Sequence, residues 1–132
     1  MPAPAGAEAP TSRPLQRSEC LAHLRGTQVG RAAFPTGGLL TIVPTAYRLD
    51  GGYVILPLSG LEEAAGQVVT FQCDGYDAAT GERWSLCVTG RTESRPDGSI
   101  RLAPDLLRGF AQACRGDAEA SGPSDTALAP CD

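Results

Sequence analysis

The 132-residue chain contains no lysine, so its eleven basic side chains are all arginine. Histidine, methionine and tryptophan occur once each. With one histidine, His23, the facial metal triad, which takes two, cannot be assembled, and beside Leu24 on a short helix His23 reads as structural and not as the base of a Ser–His–Asp triad. Aromatics make up only 5% of residues, so Leu, Val and Ala must fill most of the core. No apolar run approaches the roughly 20 residues that span a bilayer. The Ala/Pro-rich start has neither the basic n-region nor the continuous apolar stretch of a secretory signal. These absences predict a soluble, cytoplasmic protein. The net charge of −4 disfavours nucleic-acid or anionic-membrane partners. Five cysteines, an odd number and no export signal, read as reduced thiols.

What is abundant is turn-forming residues, with 16 Gly and 11 Pro, which argues against a helical bundle. Residues 1–14 read as a disordered leader, 15–114 as one domain and 115–132 as a disordered tail. Ser18, Cys20, Leu21, Leu24 and Gly26 predict a short amphipathic helix over about 17–25, with Ser18 as its cap. Strand-like segments follow at 28–34, 39–49, 53–58, 67–73, 83–93 and 99–102. They are separated by Pro35-Thr-Gly-Gly38, Asp50-Gly-Gly52 and Pro96-Asp-Gly98 turns. A short helix capped by Ser59 is expected over 59–66. Leu106, Leu107, Phe110 and Ala113 carry helical spacing, which predicts a second helix over 104–114 in place of a last strand. The resulting fold class is mainly β: a six-stranded antiparallel barrel with short flanking helices. So thin a core on about 100 ordered residues predicts burial across a homodimer interface.

The wording of the strands resembles the pyridoxamine 5'-phosphate oxidase-like family. The match runs through Gly30-Arg-Ala-Ala-Phe34, Gly37-Gly38, Ile42-Val-Pro-Thr-Ala-Tyr47 and Asp50-Gly-Gly52. It continues through Val69-Thr-Phe-Gln-Cys-Asp74 and Trp84-Ser-Leu-Cys-Val-Thr-Gly-Arg91. The resemblance implies a split β-barrel homodimer that binds FMN, or in some members a deazaflavin or haem, in grooves between the subunits. The positions it implies for the cofactor are Val43, Pro44 and Thr45 on the second strand, Ser59 after the third, and Trp84 and Ser85 on the fifth. No catalytic side chain is named by it. The chain departs from the family where a flavin phosphate is usually held: Leu56-Pro-Leu-Ser-Gly-Leu-Glu-Glu63 contains no cation and ends in two carboxylates. Charge-assisted donors are what a phosphate dianion requires.

The remaining candidates read as structural. Cys73 and Cys87 are expected to face each other across a hairpin near Thr80 as small buried thiols, and without a CxxC pair no zinc site is expected. Asp74, Asp77 and Glu82 read as a solvated loop. Arg31, Arg48 and Arg91 lie on strands, where any that faces a groove could hold an anion. Two functions follow. The first is a flavin-dependent oxidoreductase-like protein with FMN at a dimer interface and a small-molecule substrate. The alternative is a flavin-free homologue whose groove takes an apolar small molecule, as a cofactor-independent enzyme of secondary metabolism or a ligand-binding protein.

Overall fold

Val69, Phe71 and Cys73 are fully buried, whereas Thr70, Gln72 and Asp74 between them reach the surface. That period of two, with one dry face, recurs along Val29–Thr36, Glu82–Ser94 and the middle of Leu106–Ala113. The computed structural model describes residues 12–114. In chain order the elements are β1 (Ser12–Pro14), α1 (Arg17–Gly26), β2 (Val29–Thr36), β3 (Leu39–Ala46), β4 (Arg48–Asp50) and β5 (Tyr53–Leu56). They continue as β6 (Val68–Asp77), β7 (Glu82–Ser94), β8 (Ile100–Leu102) and β9 (Leu106–Ala113). The strands are antiparallel neighbours in the order β3-β2-β6-β7-β8-β5-β4, and β9 lies between β7 and β1. The sheet curls into a split β-barrel around Phe71, Leu56, Leu61, Leu86, Ile100 and Leu102.

The strand count is nine where six were expected. The long second strand breaks at Tyr47 into β3 and β4, and β1 and β9 are additional. Ser12–Pro14, assigned to the leader by composition, pairs with Phe110–Gln112 of β9. The rest of the leader and the tail from residue 115 lie outside the described residues. The expected helix over 104–114 is a strand instead. Along Glu82–Thr89, β7 has an edge that β8 does not reach, and Leu106–Ala113 supplies its backbone partner. Helical spacing on four residues was outweighed by that unpaired ladder.

β7 is the frame of the barrel, because its first half pairs with β9 and its second half with β8. The changeover falls at Gly90, where a Cβ would lie 1.7 Å from the carbonyl oxygen of Ala103. Only glycine lets the chain cross there. Helix α1 covers one end of the barrel through buried Cys20 and Leu24. The Tyr47 hydroxyl donates to the carbonyl of Leu24 at 2.5 Å and ties the helix end to the sheet. The cap of α1 is Gln16, not Ser18: the Gln16 N–H donates to the Glu19 carboxylate at 2.9 Å. After β5 the expected helix is a single 3-10 turn, Glu62–Ala64, preceded by buried Leu61. Thr92 fastens it, its Oγ1 donating to the Ala64 carbonyl at 2.6 Å.

Candidate functional site

Register places the outward-facing side chains of β3, β2, β6, β7 and β9 in rows across the sheet. One row runs Pro44, Arg31, Gln72, Cys87 and Arg108. The next runs Ile42, Ala33, Thr70, Thr89 and Leu106. On the other side stand Asp74, Ser85 and Phe110. Polar groups in these rows are linked. Arg31 donates to Gln72 Oε1 at 2.9 Å and lies 3.8 Å from the Asp74 carboxylate. Gln72 Nε2 donates to Ser85 Oγ at 3.1 Å. The Thr70 and Thr89 hydroxyls share a hydrogen bond of 2.8 Å. Between β6 and β9 the face dips into a cleft of about 310 Å³ lined by Thr70, Ser85, Cys87, Thr89, Leu106, Arg108 and Phe110.

The six residues implied for a cofactor divide among three places. Pro44 and Ser85 share the outer face and are joined through Arg31 and Gln72. Val43 is half-buried and packs on the core, while Thr45 is buried opposite Gly30. Ser59 is exposed in the loop after β5, and the neighbouring Gly60 approaches Val43 Cγ1, to within 3.8 Å of where its Cβ would be. Trp84 and Ser85 are consecutive on a strand and therefore point to opposite faces. Trp84 turns to the barrel end, where its ring stacks on His23 with centroids 4.0 Å apart and an interplanar angle of 13°. Together with Ala22, Tyr76 and Asp77 they border a second cleft of about 430 Å³.

Cys73 and Cys87 do not face each other. The register pairs Cys87 with Gln72 and Cys73 with Leu86, so one thiol points inward and the other into the outer cleft. Burial pushes the Cys73 thiol up to about 11, which keeps it protonated. Cys87 is also raised by burial, with the Arg108 guanidinium across the ladder pulling the other way. Asp74 and Asp77 belong to β6, which extends beyond the loop boundary expected for it.

The residues fit one part of a flavin mononucleotide and not the other. An isoalloxazine is amphipathic, and the outer cleft offers apolar Leu106 and Phe110 beside the hydroxyls of Thr70, Ser85 and Thr89. The loop after β5 does not fit the phosphate. Glu62 and Glu63 are exposed, the 3-10 turn is too short to present a helix N-terminus, and Arg91 donates to the Gly66 carbonyl at 2.9 Å. Sequence reasoning missed Gln72, Arg108 and Phe110. Gln72 stands beside Cys87 because the hairpin is centred between residues 79 and 80 and not on Thr80, a half-residue difference that turn residues alone did not reveal; the helical reading of residues 104–114 hid the other two.

Residues 16–129 match the model of the family described as pyridoxamine 5'-phosphate oxidase. None of the curated proteins matches the chain. Among solved structures, the FAD-binding protein of Mycobacterium smegmatis is similar with a TM-score of 0.65 at 20% identity, over 76% of this chain and 98% of that one. A FAD-binding protein of Mesorhizobium loti gives 0.68 at 19% identity, over 80% and 99%. A conserved protein of unknown function from Corynebacterium diphtheriae gives 0.61 at 19% identity, over 77% and 98%.

Proposed function

The chain belongs to the pyridoxamine 5'-phosphate oxidase family, and from that premise we propose that it is a flavin-binding oxidoreductase-like protein whose cofactor lies between two docked copies. The observation that carries the reading is the outer sheet face. Leu40, Ile42, Val68, Leu106 and Phe110 are each about half exposed or more, from 48% at Leu106 to 71% at Leu40. A monomer rarely leaves so many large apolar side chains on one surface. A second copy would cover them, and the polar rows centred on Arg31, Gln72 and Ser85 would then be enclosed with the apolar cleft.

Two similar folds belong to proteins described as FAD-binding, which supports a flavin and leaves mononucleotide or dinucleotide to be measured. When bound, the flavin supplies the redox chemistry. The chain's own residues bind and orient it and exclude water. Thr70, Ser85 and Thr89 offer hydrogen bonds, and Leu106 and Phe110 offer an apolar wall. The expected substrate is a small molecule, because the cleft is small. The test is titration of the purified protein with FMN, FAD and riboflavin, followed by flavin fluorescence, beside light scattering. A dimer that takes up one flavin per chain is expected. A monomer that leaves all three emissions unchanged would overturn the reading.

A further inference from the structure

The loop that lacks cations leaves a flavin phosphate without its usual partner. We propose that Arg108, on the outer face of β9, is the phosphate anchor of this protein. The inference rests on the flavin reading above and concerns this chain's own side chain.

Elimination among the described arginines leads there. Arg13 is held by Glu19 and Glu82. Arg31 is occupied by Gln72 and Asp74. Arg48 and Arg95 converge on Asp50, and Arg101 pairs with Glu93. Arg83 has a partner of its own, and Arg91 is bound to the Gly66 carbonyl. Arg17 and Arg25 lie on α1, away from the outer face. Arg108 alone combines an uncompensated charge with a place in a cleft. No carboxylate lines that cleft to oppose a phosphate. A guanidinium with hydroxyl neighbours and an apolar wall is the chemistry that recognises a phosphate monoester on an amphipathic body.

The experiment compares FMN with riboflavin, which lacks the phosphate, by fluorescence titration of four proteins. These are the unaltered chain, Arg108→Gln, Arg108→Lys, and Glu62→Gln combined with Glu63→Gln. The unaltered chain should prefer FMN. Arg108→Gln should weaken FMN by about ten- to hundredfold, the scale of one charge-assisted bond, and leave riboflavin unchanged. Arg108→Lys should retain part of the preference. Inorganic phosphate should compete with FMN in the unaltered chain and not in Arg108→Gln. The double glutamate change should leave the preference as it is. Equal binding of FMN and riboflavin by the unaltered chain would overturn the assignment while leaving flavin binding intact. So would a rise in FMN affinity on removing the two carboxylates, which would place the phosphate at the loop. Absence of binding by every flavin, FAD included, would remove the flavin reading itself and this inference with it.

Discussion

A methyl group at Gly90 has nowhere to go, because the opposing atom is a backbone oxygen and cannot swing aside. Gly90→Ala should therefore destabilise the barrel by about 3 kcal/mol or more, above the ordinary range for overpacking. Urea denaturation followed by circular dichroism checks it; a loss within 0.5 kcal/mol, the scale of a neutral surface change, would mean that the crossing is loose. Trp84 is the opposite case, a large side chain whose removal leaves a hole. It is 6% exposed and packs between His23 and the backbone of Gly75, so Trp84→Ala should lose about 3–5 kcal/mol. Its depth could not be read from its neighbour. Trp84 and Ser85 look like one motif in the sequence, yet a strand sends them to different faces, and only Ser85 joins the outer network.

The short β1 strand acts as a strap. Arg13 reaches from it to the carboxylates of Glu19 on α1 and Glu82 on β7, at 3.1 and 3.0 Å. Hydrogen bonds from Arg13 hold both glutamates below the ordinary carboxylate range. A depressed carboxylate adds stability above its unfolded value and loses it as pH falls through its folded value. Arg13→Ala should consequently lower the melting temperature at pH 7, and the difference from the unaltered protein should shrink as pH drops through and below the glutamate range. A difference that persists unchanged in acid would assign the strap's contribution to its backbone pairing alone. Elements were legible where local chemistry decided them. The turns at Gly37-Gly38 and Gly51-Gly52 adopt positive φ, which glycine favours, and the strands between them fall close to their expected places. β9 was not legible, because Leu106, Leu107, Phe110 and Ala113 satisfy a helix as well as a strand. The deciding factor was the free edge of β7, about 20 residues earlier in the chain.

At the scale of the molecule the outer sheet face sets the expected assembly. Ile42 is 58% exposed and stands in the same row as Leu106, so Ile42→Arg would place a charge in the proposed contact. Light scattering should show the variant as a soluble monomer with flavin binding lost, and alkylation of Cys87 should become faster once the cleft is uncovered. An unchanged dimer would move the interface elsewhere. The candidate site was legible in its parts, Pro44 and Ser85 among them, and illegible as a surface, since the rows exist only once the strands are in register. The stack of His23 on Trp84 has an optical consequence. The chain has one tryptophan and one histidine, and they come from different elements, β7 and α1. Tryptophan emission is thus a single-site gauge of whether the helix sits on the barrel. If the helix leaves before the sheet melts, the emission change will precede the loss of far-ultraviolet ellipticity along a denaturant series. If the two curves coincide, cap and barrel come apart as one cooperative unit.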